Sequence, residues 1–224
     1  IVAAAIKNDI AIFAAHTNLD NIKAGVNSKI CQQLGLENIK ILNQFTFFVY
    51  LCVLINSSFI MRTYTNVKDL GNLQQALNEA FEVKNNPYKW DTLGKNKTLL
   101  MVFFNSSLRT RLSTQKAGMN LGMNTMVLDI NQGAWKLETE RGVIMDGDTT
   151  EHILEAIPVM GSYCDIIGVR SFARFENKEF DCQDTILKQF IQYSGKPVFS
   201  MEGAIGHPLQ AFADLITIEQ YKKT

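Results

Sequence analysis

The chain has 224 residues, 46% of them apolar and 20% charged. That is enough for one large domain with a buried core, and it excludes a chain disordered by composition. Lys and Arg number 22, as do Asp and Glu, so there is no general pull toward nucleic acid or an anionic membrane and any anion site must be local.

The first 43 residues are mixed in character. Ile1 to Phe13 reads as a helix leading into a short strand, His16 to Asp20 as a loop, and Val26 to Leu34 as a helix stopped by Gly35. The opening Ile1-Val2-Ala3-Ala4-Ala5 has no basic flank and is soon broken by Lys7, Asn8 and Asp9, unlike a secretory signal. Residues 44–60 change character: Phe45 to Ile55 is almost wholly apolar, then breaks at Asn56-Ser57-Ser58. This run is about half of the roughly 20 residues a spanning helix needs. It reads as a buried strand or an aggregation-prone segment rather than a membrane anchor.

Residues 61–224 are regular. Leu70, Leu73, Leu77 and Phe81 form one helical stripe, with Thr65 or Asn66 as its cap. Short apolar runs follow at Leu99–Phe104, Thr125–Ile130, Asp165–Val169 and Pro197–Phe199. Helical stretches lie between them, at Ser113–Leu121, Glu151–Tyr163 and Asp184–Tyr193. The alternation predicts an α/β fold, a doubly wound parallel sheet with helices on both faces. The cysteines, Cys31, Cys52, Cys164 and Cys182, form no C-x-x-C pair and no zinc-finger cluster, so reduced thiols in a cytoplasmic protein are expected.

In such a sheet the ligand binds beyond the carboxyl ends of the strands, and unusual polar residues follow each predicted strand. After the first, Asn105-Ser106-Ser107-Leu108-Arg109-Thr110-Arg111 runs straight into a helix. A helix start offers N–H donors and partial positive charge. Ser107 and Thr110 add hydroxyls, and Arg109 adds a planar fork that suits phosphate. The plain alternative is an N-cap with surface arginines. After the second strand, Trp135 stands in a polar loop, a position more often a half-buried anchor than a ligand contact. After the third comes Arg170, a residue type that at a strand end is usually in a surface ion pair. After the fourth come Glu202 and then His207-Pro208-Leu209-Gln210, with Pro208 suited to a first helical turn. His207 and Gln210 would share one face, where an imidazole and an amide can bind a carbonyl and an NH2 group; the alternative is an ordinary capped helix start.

At this point the residues resemble a family. Ser107-Leu108-Arg109-Thr110-Arg111 is similar to the Ser-Thr-Arg-Thr-Arg motif of aspartate and ornithine carbamoyltransferases, and Leu108 in its second position is similar to the acetylornithine and succinylornithine branch. His207-Pro208-Leu209-Gln210 matches the family's His-Pro-x-Gln, and Arg170 fits a third arginine site. The resemblance spans 61–224, with Met61 where such an enzyme starts. It implies transfer of a carbamoyl group from carbamoyl phosphate to the side-chain amine of an N-acylated ornithine, in arginine biosynthesis, by a homotrimer with no cofactor and no metal. By resemblance, Ser107, Leu108 through its backbone, Arg109 and Thr110 hold phosphate, and Arg170, His207 and Gln210, within the motif that includes Pro208 and Leu209, act on the carbamoyl group. Trp135 resembles a residue lent to a neighbouring subunit, Glu202 a position near the second substrate, and Thr150 a site of acyl specificity. The succinyl branch is the nearer in Asn131–Glu140.

The resemblance further implies a second domain with a His-Cys-Leu-Pro motif, which does not occur in this sequence. A carbamoyl-phosphate-binding domain truncated before the ornithine-binding domain, with little or no turnover alone, is therefore expected. Ahead of it, Ala14 to Asn21 with Gly25-Val26-Asn27 resembles the dinuclear-metal family labelled GTP cyclohydrolase type 2-like, where Asp20 would be a ligand. The family's other ligands are missing, and one carboxylate cannot hold two metal ions, so no metal site is expected there. Residues 44–60 then read as a junction. Two alternatives stand beside the enzyme: a non-catalytic module binding carbamoyl phosphate or another anion, and a remnant of a metal-dependent hydrolase.

Overall fold

The computed structural model describes residues 63–130, 132 and 135–222. The expectations for residues 1–43, Asp20 included, and for the apolar stretch 44–60 lie outside them. The chain divides into two compact units. The one spanning Phe45–Ala213 carries everything argued below; of the other, the described residues include the distal part of the last helix, from Asp214.

Among the described residues, five parallel strands form the main sheet: β1 (Thr63–Tyr64), β2 (Thr98–Phe103), β3 (Asn124–Asp129), β6 (Ile166–Arg170) and β7 (Val198–Glu202), in the spatial order β1-β7-β6-β2-β3. A small parallel pair, β4 (Leu137–Glu138) and β5 (Glu151–His152), lies in the segment after β3. The α-helices among the described residues are α1 (Leu73–Asn85), α2 (Leu108–Asn120), α3 (Ile153–Ser162), α4 (Lys178–Asp181), α5 (Thr185–Tyr193) and α6 (Pro208–Tyr221). This is the α/β architecture expected. Among the described residues no helix is long and apolar enough to cross a membrane.

The central strands are apolar on both faces because both are covered. Leu100, Val102, Ile167, Val169 and Val198 pack on one face against Ile153, Ile157 and Met160 of α3 and Leu187 and Phe190 of α5. On the other face, Gly118 of α2 lies against Leu99, and Thr114 reaches the Met201 sulfur. Gly168 is required there, since a Cβ would stand 2.6 Å from Cζ of Phe199. Fully buried side chains such as Phe103, Phe199 and Ile157 each contribute about 1.5–3 kcal/mol by leaving water.

The sequence expectation for the first helix is corrected. Asn66 caps a 3-10 turn at Val67–Leu70, which ends at Gly71 with φ 65°; α1 starts afresh at Leu73 under an Asn72 cap. The break resets the helical phase, so α1 buries Ala76, Leu77, Ala80 and Val83 while Leu73 is exposed. α2 begins earlier than the apolar spacing predicts, at Leu108, because Ser107 caps it. β7 runs on to Glu202, which is therefore the last strand residue and not a loop residue.

β2 leads to β3 on one side, and the chain then returns to β6 on the other side of β2. The β2/β6 boundary is thus the switch point, where an open α/β sheet leaves a crevice at its carboxyl end. Registered partners in a parallel sheet face the same way, and Asp129, Phe103, Arg170 and Glu202 form one such row across β3, β2, β6 and β7. Glu202 joins the row through an irregularity: Ser200 pairs with Val169 but Glu202 with Arg170, leaving Met201 as an extra residue.

Candidate active site at the carboxyl ends of the strands

Arg170 organises the crevice. It is 5% exposed, so it is not the surface ion pair that its place at a strand end suggested. Nη1 donates to the carbonyl oxygens of Asn105 and Ser106, at 2.8 and 2.9 Å, and Nη2 donates to Oε2 of Glu202 at 3.0 Å. Its guanidinium carbon lies 4.0 Å from the centroid of the Phe172 ring. Nε is buried without a partner. Burial pulls its pKa below the ordinary arginine value, and the Glu202 carboxylate pulls it back up; the group stays charged at any physiological pH.

The loop that Arg170 holds leads into α2. The Thr110 N–H donates to Ser107 Oγ at 3.2 Å, the bond of an N-cap. The first turn of a helix has no intrahelical acceptors for its N–H groups, and Leu108, 64% exposed, is the first residue of that turn. Arg109 is half-buried and Thr110 buried. The motif's second arginine does something else: Arg111 pairs with Asp129 and lies over the Phe103 ring, 5.0 Å from its centroid.

Across the crevice, His207 immediately precedes α6. The Gln210 N–H donates to its Nδ1 at 3.3 Å, which places the proton of a neutral ring on Nε2. Nε2 is 3.9 Å from Oε2 of Glu202, so one carboxylate faces both Arg170 and His207. Pro208 and Leu209 are buried and anchor the helix start, with Tyr64 donating to the Pro208 carbonyl at 3.2 Å. Gln210 is exposed. A continuous line of contacts thus joins Ser106, Arg170, Glu202 and His207.

Trp135 and Thr150 form a separate cluster after β3. Trp135 is half-buried against the core, and its indole N–H donates to Oε2 of Glu151 at 3.2 Å. Thr150 Oγ1 accepts the Lys136 N–H at 3.2 Å, and the Thr150 N–H donates to the Lys136 carbonyl at 2.8 Å. Sequence reasoning missed Asn105, whose Oδ1 accepts the Phe172 N–H at 2.8 Å and ties the β2 loop to the β6 loop. Its place next to the Ser107 cap was the available signal. Glu151, which fixes Trp135, was also missed.

The chain matches over residues 62–220 the family model described as "Aspartate/ornithine carbamoyltransferase, carbamoyl-P binding domain". It is 75% identical over 164 residues to the N-succinylornithine carbamoyltransferase of Bacteroides thetaiotaomicron, covering 73% of this chain and 52% of that protein. It is 42% identical over 137 residues to the N-acetylornithine carbamoyltransferase of Xanthomonas campestris, covering 60% of this chain and 40% of that protein. Among solved structures it resembles an N-acetyl-L-ornithine transcarbamylase variant complexed with carbamyl phosphate and N-succinyl-L-norvaline, with TM-score 0.65 and 38% identity over 71% of this chain and 48% of that one. The chain spans about half the length of the curated relatives it matches.

Proposed function

The chain belongs to the aspartate/ornithine carbamoyltransferase family, through its carbamoyl-phosphate-binding domain, and from that premise we propose that residues 61–224 bind carbamoyl phosphate and form the donor half of an N-acylornithine carbamoyltransferase site. The acceptor in the whole protein is N-succinylornithine, a reading supported by the 75% identity to a succinylornithine enzyme. The supporting observation is the line of contacts from Ser106 through Arg170 and Glu202 to His207, which brings the carboxyl ends of β2, β6 and β7 to one crevice.

In this reading the start of α2 holds the phosphate, with Ser107, the Leu108 N–H, Arg109 and Thr110 as donors. Arg170, His207 and Gln210 face the carbamoyl group and stabilise charge on its oxygen as the acceptor amine attacks the carbon. The new C–N bond forms, the C–O bond to phosphate breaks, phosphate departs and the amine gives up a proton. The chain's residues supply position and charge, so no covalent intermediate on the protein is needed. Trp135 reaches the site of a neighbouring copy in a homotrimer, Thr150 tunes acyl preference from the same segment, and Glu202 stands near the acceptor. The free thiols Cys164 and Cys182 accord with a cytoplasmic setting.

Calorimetry on the 224-residue chain tests the reading. Carbamoyl phosphate should bind one to one and more tightly than inorganic phosphate, with little or no carbamoyl transfer to N-succinylornithine, since half of the positioning groups cannot supply the orientation of two substrates. Absence of any carbamoyl-phosphate heat would sink it. Binding with no transfer even in the whole protein would favour the non-catalytic module.

A further inference from the structure

Beside Arg170 the strand bonding gives way to a side chain. The last main-chain bonds at this end run from the Phe104 N–H to the Arg170 carbonyl and from the Ser171 N–H to the Glu202 carbonyl, each at 2.9 Å. The next N–H, that of Phe172, donates to Oδ1 of Asn105 at 2.8 Å. The main-chain carbonyl of the same Asn105 accepts Arg170 Nη1, also at 2.8 Å. One residue therefore holds both the guanidinium and the backbone of Phe172, and the guanidinium carbon lies over the Phe172 ring, 4.0 Å from its centroid. The remaining bonds of Arg170 go to the Ser106 carbonyl and to Glu202. The N–H groups of a guanidinium lie in its plane, so these bonds grip its edge and leave its faces uncovered. The Phe172 ring covers one of them. An aromatic face attracts a guanidinium more strongly where water is excluded, and Arg170 is buried. Its Nε–H is buried with no partner, a donor that water would reach if the cover loosened.

We propose that Phe172 is a positioning residue for Arg170: its ring, held in place by Asn105, covers one face of the guanidinium and fixes the plane in which Arg170 donates. The consequence for ligand binding rests on the carbamoyl-phosphate reading; the consequence for the guanidinium does not.

The test uses the 224-residue chain and reads two quantities: the Arg170 Nε–H resonance, identified by its loss in Arg170→Lys, and the Kd for carbamoyl phosphate. In the parent, the ring current of Phe172 should displace that resonance, and its exchange with water should be slow. Phe172→Leu keeps apolar bulk but removes the aromatic face, so exchange should accelerate and Kd rise about fivefold to tenfold. Phe172→Tyr keeps the face and should leave both within about twofold of the parent. Asn105→Ala leaves the ring in the chain but releases it, so the ring-current displacement should shrink and Kd rise by a similar factor. Asn105→Asp, which retains an acceptor for the Phe172 N–H, should retain the displacement; it is read by the resonance alone, because its added charge repels an anion. Parent-like exchange in folded Phe172→Leu, equal effects from leucine and tyrosine, or an unmoved resonance in folded Asn105→Ala would overturn the proposal. Should one of the two removal variants fail to fold, the other decides. If the parent chain does not bind carbamoyl phosphate, the functional reading fails while the Nε–H resonance still decides the role of Phe172.

Discussion

Arg170 and Glu202 are register partners at the ends of β6 and β7, and their side chains meet at 3.0 Å with only 6% and 16% of each exposed. Desolvating two charges is costly, and the pair is sustained because Arg170 also bonds two loop carbonyls. Removing one partner strands the other. Arg170→Ala should cost about 3–5 kcal/mol in urea unfolding, because it also frees the Asn105–Ser106 loop. Glu202→Gln, which keeps an acceptor for Nη2, should cost much less. Equal losses from the two would show that the loop carbonyls contribute nothing.

The two arginines of the α2 motif separate binding from structure. Arg109→Ala should weaken carbamoyl-phosphate binding and leave stability nearly unchanged. Arg111→Ala should do the reverse: it removes a half-exposed pair with Asp129 and the Phe103 contact, together worth about 1 kcal/mol. Ser107→Ala should do both, losing about 1 kcal/mol of cap energy along with affinity. Thermal melts beside calorimetry sort the three, and a fall in affinity confined to Arg111→Ala would invert the assignment.

These assignments show where sequence was informative. Ser107 was legible as a cap because capping is local, set within a few residues. The centres of β2, β3 and β6 were legible because strands covered on both faces need unbroken apolar runs. The two-residue strands β1, β4 and β5 were not, since so short a strand is set by its neighbour and not by its own pattern. The burial of Arg170 was hidden for a similar reason. It depends on the extra residue Met201, which brings Glu202 opposite it, and no single segment encodes that register.

The segment carrying Trp135 is pinned by Thr150, whose hydroxyl and N–H both bond to Lys136. Thr150→Val keeps the shape and deletes the hydroxyl acceptor. Amide exchange at Lys136 should then accelerate about fivefold to tenfold, as loss of one hydrogen bond worth about 1 kcal/mol requires. Thr150→Pro should go further, because it also removes the N–H. An unchanged Lys136 exchange rate in Thr150→Val would show that the β4–β5 pair alone holds the segment.

Cys164 gives stability a dependence on alkaline pH. The thiol is 5% exposed and donates to the Met160 carbonyl at 3.3 Å. Burial pushes it up to about 11 from an ordinary 9.0, with Lys196 pulling down and Asp165 pushing up. Between those values the unfolded chain has given up the thiol proton and the folded chain has not. The folded state therefore binds more protons, and stability falls as pH rises from about 9 toward 11. Cys164→Ala should lose this component, so the difference in unfolding free energy between parent and variant should shrink across that window. The same burial predicts that exposed Cys182 reacts with a thiol reagent at pH 8 while Cys164 reacts only on unfolding. A parent–variant difference that stays constant from pH 8 to 11 would show that Cys164 titrates as it does in the unfolded chain.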